Sequence, residues 1–456
     1  MRFSILFLRF YIFFTVRALK IRQYGLIFAS YDDIIKKKRK EKSVMYARLN
    51  RERLTIGAYI LQPYARTEKH IKELAECGIE MIVCLGEPDG ATLDLLEKYH
   101  VGCIVSGILP GWWGGDGNKA GKMAQFNPVK KYIDAAKDFK DHPAVWGVDI
   151  GDEPSALDFE HYGKIADAVD KAFTNQFPYL NLYPNYASVA TNSEDQTTSQ
   201  LGTKTYEEHI EEYIKRIPLP YISYDFYLYS LPESIGEGKV FDNFRIVSDA
   251  CARTGRDFWY IPQVNSLDPN VFTSENRLRY QAYTALCYGA TVINWACYTG
   301  GWWSNNVLDK NGNKTEQYEK LKKINAEIRN IADIYMDHKR TDTHLIGFEN
   351  ETWLPSYPKI KTSSSLDTGF IRDLRSNGRL VVGQFVHKTD PSRSAYVICG
   401  ADDPYDRSPS RYSVSFRDDG KTYKIYSGEG FAALDKADGR FSFELENCHG
   451  VIITVE

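Results

Sequence analysis

The sequence predicts a (β/α)8 barrel followed by a small all-β domain of sandwich type. Three observations predict it. Eight strand-like runs alternate strictly with eight helical runs from Leu54 to about Met336. After about Thr341 that texture gives way to period-two alternation broken by turns. No glycine-rich phosphate loop follows the first strand, which argues against an open nucleotide-binding sheet. Strict strand–helix alternation implies parallel strands with helical crossovers, and eight units close into a barrel.

The strand-like runs are 54–61, 79–85, 102–108, 144–150, 179–183, 221–228, 258–263 and 291–295. These are short runs of mostly apolar residues, as buried strands are. Helical periodicity occupies 67–77, 91–99, 128–140, 158–173, 205–216, 241–254 and 274–288, and a long helix runs from 315 to about 335. The later alternating segments are 380–386, 395–399, 412–416, 423–426, 441–445 and 450–456, separated by turns such as Asp418-Asp-Gly420 and Asp438-Gly439. The expected division is therefore a leader at 1–48, a barrel at 49–340 and a β-sandwich at 341–456.

The leader is apolar over 1–16 but interrupted by Arg2 and Arg9, with a basic run at 36–42. It is a poor signal peptide, because Arg9 breaks the apolar core and no small-x-small site follows. It is too short for a membrane span, and no stable membrane insertion is expected. Met45, just ahead of the first clean strand, is a plausible start, so residues 1–44 are read as a disordered or non-native leader, with an export signal or anchor as the alternative.

The chain has 456 residues, with 57 basic and 60 acidic side chains and a formal charge of -3. No basic field exists to hold nucleic acid, so no nucleic-acid partner is expected. The eight cysteines form no C-x-x-C pair and several lie in apolar runs. They read as buried free thiols, which favours a reducing, cytoplasmic setting. The nine histidines are scattered without H-E-x-x-H spacing, and no metal or other cofactor is expected. His142 and His161 read as structural. Ser106 and Ser223 lack a G-x-S-x-G context, which argues against a serine hydrolase.

The strand-four segment carries the chemistry. Its apolar run ends at Gly151, where Asp152 and Glu153 follow at once and Pro154 stops further pairing. That places a carboxylate pair at the C-terminal tip of a barrel strand, where barrel enzymes keep their active sites. Proton donation to a glycosidic oxygen needs a carboxyl still protonated near neutral pH. Burial and a like charge, from Asp152 or Asp149, raise a Glu toward that range. The rival account of the pair is a cap on the next helix, since anions favour helix N-termini. Other rim candidates are Glu87 on strand two, Asn185 and Tyr186 on strand five, Asp225 and Tyr227 on strand six, Gln263 and Asn265 on strand seven, and Trp295 on strand eight. Gly-flanked loops present Trp112, Trp113, Trp302 and Trp303, with Asn305 beyond them. Aromatics in such loops suit sugar rings, and the amides suit hydroxyls.

The Asp152-Glu153-Pro154 motif, the Ser223-Tyr-Asp-Phe-Tyr227 strand and the aromatic strand-eight end together resemble the clan A glycoside hydrolases. The nearest resemblance is to β-galactosidase-like members, including bacterial ones with an Asp-Glu-Pro motif, over about residues 54–335. It implies a glycoside hydrolase with Glu153 as general acid/base, an oligosaccharide partner and β-galactosides as the first substrate guess. A trailing β domain is also usual there.

One departure matters. The resemblance calls for a nucleophilic Glu at the end of strand seven, and this chain has Gln263. An amide cannot attack as a carboxylate does. Three accounts stay open. The second carboxylate comes from elsewhere, with Asp225 first and Glu87 next, and a separation of about 6.5–9.5 Å would fit inversion. Alternatively a substrate acetamido group attacks. Or the barrel binds sugar without cleaving it, with Asp225 serving only to orient neighbouring side chains.

Overall fold

The computed structural model describes residues 50–108, 120–139, 141–173, 175–187, 200–300 and 303–456. The leader and Trp112, Trp113 and Trp302 lie outside the described residues. Eight parallel strands close into a barrel in sequence order. They are β1 (Thr55–Tyr59), β2 (Met81–Gly86), β3 (Gly102–Ser106), β4 (Val145–Asp152), β5 (Phe177–Leu182), β6 (Tyr221–Phe226), β7 (Asp257–Pro262) and β8 (Ala290–Trp295). Around them run α1 (Glu68–Glu76), α2 (Gly90–Lys98), α3 (Val129–Ala136), α4 (Phe159–Ala172), α5 (Tyr206–Arg216), α6 (Glu233–Thr254), α7 (Glu275–Cys287) and α8 (Glu316–Met336), with a one-turn helix at Met123–Phe126 before α3.

Local chemistry fixes where these helices begin. Thr67, Asp89, Ser274 and Thr315 accept backbone N–H bonds at the starts of α1, α2, α7 and α8. Thr205 and Glu208 form a reciprocal capping box on α5. At the other end of α6, Gly255 takes φ 65°, and its N–H closes on Cys251 O.

In the barrel, two of the differences from the sequence expectation shape the site and its surroundings. β4 does not stop before Gly151 but runs to Asp152, with a register shift between Asp149 and Gly151 against β5. Gly151 is there for close approach: a Cβ would lie 2.4 Å from the Tyr162 ring on α4. α6 starts at Glu233, two turns before the expected 241, and its first turns contain Gly236 and Gly238. Those glycines lower helix propensity. They are needed because a Cβ at Gly238 would sit 2.6 Å from Tyr357.

Inside the barrel, aromatic side chains fill the lower layers. Trp259 stacks on Tyr221 at 4.1 Å between ring centres and edges against Phe177 at 5.8 Å. These rings form the floor under the strand ends. Trp295 points the other way. It is fully buried against α8, where its indole N–H donates to Asn325 Oδ1 at 2.9 Å.

The remaining strands form two antiparallel-rich sheets, consistent with a β-sandwich. One has seven strands in the order β10 (Thr362–Ser363), β9 (His338–Ile346), β12 (Leu380–His387), β13 (Ser394–Gly400), β19 (Gly450–Val455), β15 (Tyr423–Ser427) and β16 (Gly430–Ala432). The other has four: β11 (Arg372–Ser376), β14 (Arg411–Arg417), β18 (Arg440–Glu446) and β17 (Asp435–Ala437). Val382, Tyr396, Ile398, Tyr412, Phe416, Phe443 and Ile453 belong to one apolar core with residues of both sheets. The seven-stranded sheet lies directly on α7. Gly383 lets the Cys287 carbonyl within 2.2 Å of where a Cβ would be, and the Cys287 thiol donates to Val397 O at 3.3 Å.

All eight cysteines are free, seven buried and Cys84 half-buried. Among the described residues no helix is long and apolar enough to cross a membrane.

Because the Tyr162 ring occupies the space a Gly151 side chain would need, Gly151→Ala is expected to destabilise the chain by about 1–3 kcal/mol through overpacking. Urea unfolding checks this, and an unchanged midpoint contradicts it.

Candidate active site

A cavity of about 690 Å³ opens at the C-terminal ends of the barrel strands, a size suited to a small ligand. Asp152, Glu153, Asn181 and Asp225 line one side of it, and Tyr59, Ile60, Ile261 and Cys297 contribute an apolar wall. Tyr183, Tyr186 and Tyr227 add aromatic lining.

The acids converge because strand alternation aims them inward. Asp225 sits on β6 two residues beyond Ser223, and Asn181 sits on β5 two residues beyond Tyr179, so each pair faces the interior. Asn181 Nδ2 donates to Asp225 Oδ1 at 2.8 Å and to Asp152 Oδ1 at 3.2 Å. Ser223 Oγ donates to Asn181 Oδ1 at 3.1 Å, which fixes the amide with its NH2 toward the acids. Tyr179 hydrogen-bonds Ser223 Oγ at 3.1 Å and the Tyr59 hydroxyl in turn. A chain of hydroxyls from the barrel interior therefore supports one amide, and that amide holds two carboxyls.

Glu153 completes the group. Its N–H donates to Asn181 O at 2.9 Å, the last rung of the β4–β5 edge. Its φ of 45° lies in the left-handed region, rare for a side chain with a Cβ and further disfavoured before proline. That turn carries the side chain into the cavity, where its carboxyl hydrogen-bonds the carboxyl of Asp225. A carboxyl–carboxyl hydrogen bond requires one proton between the two groups. Tyr227 also bonds Asp225 through its side chain.

Burial governs the electrostatics. It pushes Asp225 above the usual carboxylate range, opposed by the bonds from Asn181, Glu153 and Tyr227. It also raises Asp152, and the Asp225 charge adds to that. Asp149, below them on β4, is pushed up to about 8 by burial first and the Asp152 charge second. Its Oδ1 accepts Gly151 N–H at 3.0 Å, and the Cys84 thiol lies 3.8 Å from its Oδ2.

The other sequence-named residues fall elsewhere. Gln263 is buried, with Oε1 accepting Tyr229 N–H at 2.8 Å and Nε2 donating to Asn265 O at 3.0 Å. Asn265 donates to Cys297 O at 3.1 Å and Asn306 Oδ1 at 3.0 Å. Asn305 donates to Ser266 Oγ at 3.0 Å and Val271 O at 2.8 Å. Asn265 and Asn305 pin the loops after β7 and β8 together, Gln263 ties the end of β7 to the segment after β6, and none of the three lines the cavity. Asn185 is bonded to α6, through Asn243 and Lys239 O. Glu87 is exposed at the end of β2, outside the cavity lining. Trp303 is buried in the apolar cluster of the cavity wall and edges against Tyr227 at 4.9 Å. Trp295, behind the barrel wall, is also absent from the cavity lining.

Sequence reasoning missed Asn181, Tyr59 and Cys84. The available signal was period two along strand five, which sets Asn181 on the same face as Tyr179 and Tyr183. His161 bonds Asn127 O at 2.8 Å. His142, at the start of the β4 segment, joins Asp94 and Glu97 in an exposed group whose ligand atoms lie within 4.8 Å of one another.

Fold and site thus define a (β/α)8 barrel with an acid cluster at the carboxyl ends of its strands. No family model matches the chain, and no curated protein matches it significantly. Among solved structures it is similar to a glycoside hydrolase family 30 subfamily 8 xylanase from Clostridium acetobutylicum, at 11% identity and TM-score 0.46 over 88% of this chain and 96% of that one. An α-amylase from Geobacillus thermoleovorans matches at 10% identity and TM-score 0.46, covering 89% and 98%. An α-L-fucosidase isoenzyme 2 from Paenibacillus thiaminolyticus matches at 10% and 0.45, covering 89% and 100%. The functional reading is carried by the carboxyl groups and not by these likenesses.

Asp149 binds its proton more tightly when folded than when unfolded, between the ordinary 3.8 and about 8. Its contribution to stability is therefore lost as pH rises through that window. Asp149→Asn keeps an acceptor for Gly151 N–H and removes the titration. The urea midpoint of the variant is expected to fall less steeply from pH 4 to 8 than that of the native chain. An identical slope contradicts the assignment.

Proposed function

We propose that this chain is a glycoside hydrolase in which Glu153 donates the proton to the leaving oxygen and Asp225 is its partner. The observation that carries this reading is the Glu153–Asp225 hydrogen bond inside a sugar-sized cavity. It keeps one proton on the pair while leaving the other carboxyl charged. An acid that is protonated and faces open space can hand its proton to a glycosidic oxygen. The remaining carboxylate, fixed by Asn181 before substrate arrives, stabilises positive charge developing at the anomeric carbon. Asp152 shares the same amide beside the pair, and burial together with the Asp225 charge raises its carboxyl above the usual range. Tyr183, Tyr186 and Tyr227 offer rings and hydroxyls to a sugar. Catalysis falls in the 49–340 portion, with 341–456 as a packing domain. β-Galactosides are the first substrates to assay, and the free thiols support a reducing, cytoplasmic setting.

Glu153→Gln preserves shape and removes the proton. It is expected to abolish turnover, by about 100-fold or more as for loss of a general acid, while sugar binding measured calorimetrically persists. Turnover that survives the substitution overturns the reading. Binding by the native chain with no turnover of a broad glycoside panel identifies a non-catalytic sugar-binding barrel instead.

A further inference from the structure

Resting on the glycosidase reading, we infer that the substrate is a 2-acetamido sugar whose own amide carbonyl attacks the anomeric carbon. Three observations lead there. First, the residue at the end of β7 supplies no nucleophile: Gln263 is an amide, buried and bonded to Tyr229 N–H and Asn265 O. Second, the carboxyls that line the cavity belong to β4 and β6 alone among the described residues, and Glu153 and Asp225 touch. A nucleophile across the bond needs a carboxyl separation of about 5–5.5 Å, and a water-activating base about 6.5–9.5 Å. A pair in direct contact has room for neither. Third, the wall formed by Tyr59, Ile60, Ile261 and Cys297 is apolar, and it belongs to a packed cluster with Tyr227 and Trp303. It fits an acetamido methyl.

These features assign the roles. The substrate N–H replaces Glu153 as a donor to Asp225, which Asn181 and Tyr227 already orient. The acetamido carbonyl oxygen then bonds to the anomeric carbon as the bond to the leaving oxygen breaks. That oxygen takes the Glu153 proton. Asp225 balances the positive charge of the cyclic oxazolinium formed. Water next attacks the anomeric carbon and yields its proton to Glu153, while the bond between that carbon and the acetamide oxygen breaks and restores the acetamide. The anomeric configuration is retained, and no co-reactant beyond water is consumed.

The test uses the full chain and aryl glycosides in pairs that share configuration and differ only in a 2-acetamido or 2-hydroxy group. The expected result is hydrolysis of acetamido members alone, with the rate falling progressively as the acetyl methyl is replaced by mono-, di- and trifluoromethyl. Equal cleavage of 2-hydroxy members overturns the inference and leaves the glycosidase reading standing. So does mass-spectrometric capture of a 2-deoxy-2-fluoroglycosyl group on Asp225. Absence of turnover on every pair overturns both.

Discussion

Two carboxyl groups in hydrogen-bonding contact hold a proton between them, and the Glu153–Asp225 contact imposes this on β4 and β6. Much of the surrounding architecture serves that contact. Asn181 faces both Asp225 and Asp152 with one amide, and its orientation is set from below by Ser223, Tyr179 and Tyr59. The tyrosine and tryptophan layer beneath is the floor on which the relay stands. A network of this kind keeps its value only when each member is satisfied, since a lost donor leaves a buried acceptor exposed to the full desolvation cost.

The backbone is shaped to the same end. Extending β4 to Asp152 binds the strand tip to β5, and the left-handed turn at Glu153 swings the acid off the ladder into the cavity. Backbone outliers of this sort cost about 1–3 kcal/mol and persist where neighbours over-determine them. Here the neighbours are the Asn181 carbonyl on the Glu153 N–H and the Tyr162 ring against Gly151. The loops after β7 and β8 are tied together by Asn265 and Asn305, which steadies the apolar side of the cavity against the acidic one.

Most of the barrel was legible in the sequence because short apolar runs between helical periods leave few alternatives. The misreadings have local causes. Gly151 looked like a strand terminator because glycine usually marks a turn, whereas here it admits an aromatic ring. Gly236 and Gly238 hid the first two turns of α6 for a similar reason. β9 was missed because its first six residues, His338-Lys-Arg-Thr-Asp-Thr343, are polar, its pairing with β12 and β10 coming from the backbone rather than an apolar face. The acid Glu153 could be singled out from its place after a strand. For Asn181, period two along strand five gave its direction but not its partners, since a polar residue inside a strand does not announce which carboxyls it will meet. Gln263, Asn265 and Asn305 were visible as rim residues, yet only the tertiary hydrogen bonds show that their amides are spent on loops.

The central claim is that Glu153 and Asp225 share one proton through their hydrogen bond. Infrared difference spectroscopy of the native chain against Glu153→Gln and Asp225→Asn tests it directly. The account predicts a protonated-carboxyl band in the native spectrum that each substitution changes. Native carboxyls at both positions that are fully ionised at neutral pH, with neither substitution altering the band, would contradict it.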